Sequence, residues 1–215
     1  MVSATFPGQN AATYAVLTED YLFNPIDVAP VLDIPDQYGM TGTTLAAALN
    51  PIILQQFITL GADPNLVDAN GFTPAGSAAF TNNTQSLDVL QKAGVDLNEP
   101  DAHGFTPASY AASAGNAATL KHLKELGVDL SSVDAYGTSP AIYAAMNGDL
   151  DTLETLQDLG VDLSMPDANG NTPLETLQVN GYQYAAQELG EKQFKIAEEQ
   201  NFTASPAAPR PNILG

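Results

Sequence analysis

The side chains that could carry chemistry in this chain recur at one interval. Asp68, Asp101, Asp134 and Asp167 stand 33 residues apart, and Asp63, Asp96, Asp129 and Asp162 keep the same step. Neighbouring carboxylates can act as general acid and base when their environments drive their proton affinities apart. A strictly periodic series is better explained by turns, because an Asp carboxylate accepts hydrogen bonds from main-chain amides close by. The two histidines, His103 at a turn tip and His122 in a helical stretch of the same unit, have no third ligand at a metal-binding spacing. There is no Ser-His-Asp pattern and no glycine-rich phosphate loop. Cysteine is absent, which removes disulfides, thiol catalysis and zinc–thiolate sites together. No catalytic residue, metal or cofactor is expected. A catalytic site hidden in the first 35 residues is disfavoured, since that stretch contains no His, Cys, Lys or Arg.

What positions the carboxylates is a repeated unit. The tetrapeptides "DANG" at 68, "DAHG" at 101, "DAYG" at 134 and "DANG" at 167 set the register, and "DQYG" at 36 is a looser copy one residue out of phase. Each Asp-x-x-Gly reads as a tight turn with glycine at positive φ. Thr73-Pro74, Thr106-Pro107, Ser139-Pro140 and Thr172-Pro173 follow, a hydroxyl N-cap with proline at the first helical position. The short helix so begun ends at Asn82, Gly115 or Gly148, residues that tolerate the left-handed conformation of a helix C-cap. A second helix carries apolar residues three apart, as in Leu120, Leu123 and Leu126, and stops at Gly127 or Gly160. The unit is therefore turn, short helix, longer helix, loop.

"DANGFTP", "DAHGFTPASYAA" and "LGVDL" in phase at this spacing resemble the ankyrin repeat. The resemblance implies an all-α solenoid of about five helix-turn-helix repeats with β-turn fingers, at 36–67, 68–100, 101–133, 134–166 and 167–200. It implies a divergent N-terminal extension and cap over 1–35, a last helix extended by "EKQFKIAEEQNF", and a flexible Pro/Ala-rich tail over 201–215. Single repeats bury too little apolar surface to fold alone, so the units must stack with atypical ones at the ends. The chain departs from the family at the histidine after Thr-Pro-Leu, replaced by Gly76, Ser109, Ile142 and Glu175. In the family that imidazole ties neighbouring repeats, so looser coupling between units is expected here, and restoring it through Ser109→His with Ala108→Leu is expected to stabilise the stack.

The resemblance also implies where a partner would sit: on the concave surface made by the finger tips and the ends of the first helices. Those positions are Tyr38 and Met40; Asn70, Phe72, Phe80 and Thr81; His103, Phe105, Ser113 and Ala114; Tyr136, Thr138, Met146 and Asn147; and Asn169, Asn171, Val179 and Asn180. None is Asp, Glu, Lys or Arg, although the chain carries 25 acidic against 6 basic residues and a net charge of -19. Exposed aromatic and methionine side chains are the usual chemistry of an interface core. Tyr110 and Tyr143, before the "AA" pairs, are assigned to the core. The acidic residues gather instead on second helices, as Asp149, Asp151, Glu154 and Asp158 do.

Such a charge repels phosphate backbones and anionic lipid, so no direct nucleic-acid or membrane contact is expected and a partner with a basic patch is favoured. The start "MVSATFPGQN" lacks the basic and apolar regions of a signal peptide, and no stretch nears the ~18 apolar residues of a membrane span. A cytoplasmic chain, monomeric when unbound, is expected. The function expected is that of a non-catalytic protein-binding module: an inhibitor, immunity protein, adaptor or scaffold. The alternative is an acidic mimic of nucleic acid that occupies a DNA- or RNA-binding protein. The "PAAPR" at 206–210 is a weak PxxP signal, better explained by a flexible end.

Overall fold

The computed structural model describes residues 10–18 and 31–204. These residues form eleven α-helices: α1 (Ala11–Leu17), α2 (Gly42–Leu49), α3 (Pro51–Thr59), α4 (Pro74–Phe80), α5 (Thr84–Lys92), α6 (Pro107–Ser113), α7 (Ala117–Glu125), α8 (Pro140–Met146), α9 (Leu150–Asp158), α10 (Pro173–Val179) and α11 (Gln183–Ala204). The even-numbered helices stack on one another as an inner row, with α1 packed on α2 at one end. The odd-numbered helices from α3 onward form an outer row behind them, and a turn precedes each inner helix.

Local chemistry starts each inner helix where the sequence places it. Thr73 Oγ1 accepts from Gly76 N at 3.0 Å, and Thr106 Oγ1 accepts from Ser109 N at 3.2 Å. At α10 the cap is reciprocal, because Glu175 Oε2 also accepts from Thr172 N at 2.8 Å. Inner helices expose almost no side chain on their packed faces: Ala78, Ala79, Ala111, Ala112, Ala144 and Ala145 are fully buried, which lets successive backbones approach closely. Outer helices supply the bulk, with Leu87, Leu90, Leu120, Leu123, Leu153 and Leu156 at zero exposure. Each such leucine contributes on the order of 1.5–3 kcal/mol through burial. Small residues inside and leucines outside are the steric basis of a stack that curves toward its inner row.

The coupling between units is tighter than the missing histidines imply. The turns are joined by main-chain bonds: Ala69 N to Gly39 O at 2.9 Å, Ala102 N to Gly71 O at 3.1 Å and Ala135 N to Gly104 O at 3.1 Å. Beyond the inner helices, Asn116 Nδ2 donates to Ala79 O and Phe80 O of the preceding unit at 3.0 and 2.8 Å, and Asn147 Nδ2 donates to Ser113 O at 2.8 Å. On the outer row His122 Nε2 meets Asp88 Oδ1 at 2.8 Å, and Gln91 Nε2 donates to Leu126 O at 2.8 Å. The replaced positions also have tasks of their own. A Cβ at Gly76 would lie 3.0 Å from the Tyr110 ring, Ser109 is fully buried with its hydroxyl 3.0 Å from Thr106 Oγ1, Ile142 is core, and Glu175 closes its capping box.

The ends differ from the middle. The described parts of the N-terminal segment are residues 10–18 and 31–35; the first holds α1, capped by Asn10 and set so close to α2 that a Cβ at Gly42 would come within 2.5 Å of Ala12 Cβ. Tyr21 and the prolines that follow it up to Pro30 lie outside the described residues, as does the "PAAPR" of the tail. At the far end α11 continues to Ala204, four residues into the stretch expected to be a flexible tail, and Lys192 pairs with Glu154 of α9. Its outer surface is not purely polar, since Tyr184 and Phe194 are exposed.

With Ala108 and Ser109 both buried, the sign of the expected stabilisation is reversed. Ala108→Leu with Ser109→His is expected to overpack the inner row, at about 1–3 kcal/mol for each enlarged side chain. At roughly 2–4 °C per kcal/mol for a chain of this size, the melting temperature should fall by several degrees, measurable by thermal denaturation followed by circular dichroism.

Candidate functional site: a concave strip of rings

Every finger is held by its own carboxylate. Asp68 Oδ1 accepts from Asn70 N and Phe72 N at 2.9 and 3.0 Å; Asp101 Oδ1 does the same for His103 and Phe105, and Asp134 Oδ1 for Tyr136 and Thr138. The glycine of the turn then takes positive φ, +92° at Gly71 and +86° at Gly104, a conformation other residues adopt at a cost. The clamp fixes where the residues either side of the glycine point, which are the residues expected to face a partner.

The clamp uses one carboxylate oxygen and leaves the other. In the two central units that second oxygen takes a phenol: Tyr110 Oη donates to Asp101 Oδ2 at 2.5 Å, and Tyr143 Oη to Asp134 Oδ2 at 2.5 Å. Tyr110 and Tyr143 are therefore not the plain core residues expected from sequence. They are half-buried, pack on the core from the concave side, and tether inner helix to finger. The signal was present as a tyrosine nine residues after the turn Asp in both units. Burial first, then the hydrogen-bonded carboxylate, pushes both phenols well above the usual tyrosine range.

Around these two tyrosines the expected site residues converge. Phe72 lies 5.7 Å from Tyr110 and 5.9 Å from His103, centroid to centroid; Phe80 stands edge-on to Tyr110 at 6.2 Å. Phe105 is 5.4 Å from Tyr110 and 5.6 Å from both Tyr136 and Tyr143. These are separations at which rings attract beyond their area burial. The strip is open to solvent at Tyr136 (59% exposed), Phe80 (54%) and Phe72 (37%), while Phe105 is half-buried and forms its floor. His103 is exposed, but its ring is occupied: Nε2 lies 2.6 Å from Asn70 O and donates its proton there, with the imidazole over Gly71. It is a tie between fingers.

The outlying members extend the face without joining the ring cluster. Tyr38 is exposed and linked through its carbonyl, which accepts from Asn70 Nδ2 at 2.8 Å. Met40 is half-buried beside Phe72 in a pocket taken up below. Met146 stands exposed at the end of α8, and Asn169 is exposed at the last finger tip, hydrogen-bonded to Asp167. Of the acidic run, Asp149 caps α9 by accepting from Thr152 N and Glu154 pairs with Lys192, so two of the four carboxylates are already engaged inside the protein. Elsewhere loop carboxylates are engaged locally: hydrogen bonds from Asn98, Ser131 and Ser164 hold Asp96, Asp129 and Asp162 below the usual carboxylate range. His103 and His122 point to different neighbours rather than to a shared centre.

Paired helices behind a row of clamped β-turns define a repeat solenoid. A model of the family described as ankyrin repeats (3 copies) matches residues 43–134 and 110–200, and the chain belongs to that family. Ankyrin repeats are generally protein–protein interaction modules and typically non-catalytic. No curated protein gives a significant match to this chain. Among the described residues no helix is long and apolar enough to cross a membrane.

The phenol–carboxylate pairs give a test by alkaline titration. The folded state holds these two protons more tightly than the unfolded chain, so their stabilisation is complete below about pH 10 and is lost as pH rises above it. Absorbance at alkaline pH should show Tyr110 and Tyr143 silent until the fold is lost. Tyr110→Phe and Tyr143→Phe should each cost about 1–3 kcal/mol by stranding a buried carboxylate oxygen, and the double variant should remove the late-titrating pair.

Proposed function

We infer that the protein recognises one partner protein by laying the Phe72–Phe80–Phe105–Tyr136 strip, flanked by Tyr38, Met40, Met146 and the polar tips Asn70, His103 and Asn169, against an apolar surface of that partner. The observation that carries this reading is a continuous, uncharged cluster of part-exposed rings on one side of a chain of net charge -19. Apolar surface of that kind is costly to leave in water and is characteristic of interface cores. The acidic outer helices set the long-range field, so a partner bearing basic residues around its apolar patch would be drawn in quickly. Acting as a monomer with no catalytic group of its own, the protein works by occupancy: it blocks, shields or co-localises what it holds, as an inhibitor, immunity protein, adaptor or scaffold.

The test is a photo-crosslinking residue placed at Phe80 or at Met146 on the concave side, with Lys121 on the outer row as control, followed by mass spectrometry of adducts formed in extract of the source cells. One protein captured from the concave positions and not from position 121 is the expected result. With that partner purified, Phe72→Ala combined with Phe105→Ala should weaken binding by more than about tenfold, because interface energy concentrates in a few aromatic anchors worth ~2 kcal/mol or more each. Capture from position 121 alone, or affinity unchanged by the double variant, would place the interface elsewhere.

A further inference from the structure

The repeats hold the same carboxylate at the same place, so they can be compared position by position. Nine residues after the turn Asp the five units carry Leu45, Ser77, Tyr110, Tyr143 and Thr176. Tyr110 and Tyr143 fill their places with a ring and satisfy Asp101 Oδ2 and Asp134 Oδ2. In the last unit Asn169 Nδ2 reaches Asp167 Oδ2 at 3.4 Å. In the first, Asp36 Oδ2 is likewise buried without a donor, but Leu45 is buried and fills the space with hydrocarbon. The second unit has neither filling nor partner: Ser77 is short, Asp68 is 5% exposed, and its Oδ2 is buried without a hydrogen-bond donor.

A pocket of about 350 Å³ opens at that place. Its walls are the counterparts of what surrounds Tyr110. Tyr110 sits between Phe72 of the preceding finger, Phe80 at the end of the preceding inner helix and Phe105 of its own finger. The pocket is lined in the same order by Met40, Ala48 and Phe72, with Asp68 and Ser77 in the positions of Asp101 and Tyr110. Phe80 and Tyr110 itself close the other side. The protein thus shows twice what fits there, and once leaves it empty.

We propose that this pocket between the first and second fingers receives a tyrosine side chain from the partner protein, its ring against Met40, Phe72 and Phe80 and its hydroxyl donating to Asp68 Oδ2. A phenol has one donor, matched to the one carboxylate oxygen that this pocket leaves without a donor. A lysine ammonium would bring three donors into apolar walls, and a phenylalanine would leave the carboxylate oxygen unpartnered. Burial, reinforced by the neighbouring Asp101 charge, pushes the Asp68 carboxyl up, and an incoming donor relieves that penalty. The proposal rests on the concave-face reading above and narrows it to one anchor.

The experiment uses the full chain and its Ser77→Tyr variant, which supplies the missing ring from within. Ser77→Tyr should raise the melting temperature and abolish binding of 4-methylphenol, the tyrosine side-chain analogue, observed by NMR chemical-shift titration of the wild type. Toluene should bind at least tenfold more weakly than 4-methylphenol, and Asp68→Asn, which keeps Oδ1 for the turn and puts an amide donor in place of Oδ2, should shrink that difference, because the phenol can then only accept from it. A random peptide library selected on the wild type and counter-selected on Ser77→Tyr should enrich tyrosine at one position. The proposal is overturned if 4-methylphenol does not bind, if toluene binds equally well, if n-butylammonium binds more tightly, or if phenylalanine or lysine is enriched instead. Self-association of the wild type that Ser77→Tyr abolishes would also overturn it, assigning the pocket to a second copy. Peptides that survive the counter-selection yet are lost with Phe72→Ala and Phe105→Ala would overturn the tyrosine pocket while leaving the concave-face reading standing.

Discussion

The structure depends on one recurring interaction, an aspartate oxygen that accepts two main-chain amides of the turn it begins. That pair of bonds converts a flexible four-residue connection into a rigid finger, as Asp101 does for His103 and Phe105. A rigid finger can present its glycine carbonyl to the next unit, and Gly71 O to Ala102 N is such a bond. It also delivers the residues beside the glycine to one side of the stack. Fold, register between units and orientation of the ring strip therefore follow from the same carboxylate. The second oxygen is where the units diverge: it ties down a tyrosine in the third and fourth units, takes an asparagine amide in the fifth, and is left over in the first two.

The distribution of charge separates two jobs. Carboxylates that clamp turns or cap helices, such as Asp68 and Asp149, belong to the frame. Those that point outward give the chain its field and are concentrated away from the fingers. Keeping charge off the concave side matters because a desolvated carboxylate in an interface costs more than it returns unless it is paired. The rings can thus be buried by a partner without taking an unmatched charge with them, except at Asp68, whose second oxygen lines the pocket between the first and second fingers without a donor.

Much of this was legible in the residues. The period and the Thr-Pro or Ser-Pro starts locate the first residue of every inner helix from the second unit onward, because the signal is local and repeated four times, while the expected stops at Asn82, Gly115 and Gly148 fall two residues beyond the ends at Phe80, Ser113 and Met146. The ring positions of the concave face were legible as the variable part of a constant frame. What could not be read was pairing across units. Removing a histidine seemed to loosen the stack, yet Asn116, Asn147 and His122 supply bonds to neighbours about 34–37 residues away, and nothing in their immediate sequence marks them. The tethers of Tyr110 and Tyr143 were hidden for the same reason: both rings do pack against the core, but only the fold places each hydroxyl against the carboxylate nine residues earlier.

The two edges of the stack are built from different materials, and this has a mechanical consequence. The finger edge is joined by short main-chain bonds and by alanine faces in direct contact, which stretch little. The opposite edge is joined through long side chains, His122 to Asp88, Gln91 to the Leu126 carbonyl and Lys192 to Glu154, whose torsions can give. A strip stiff along one side and compliant along the other flexes about its stiff side. Bending of such a stack falls first on the side-chain links of the outer row and least on the main-chain bonds that join the first four fingers.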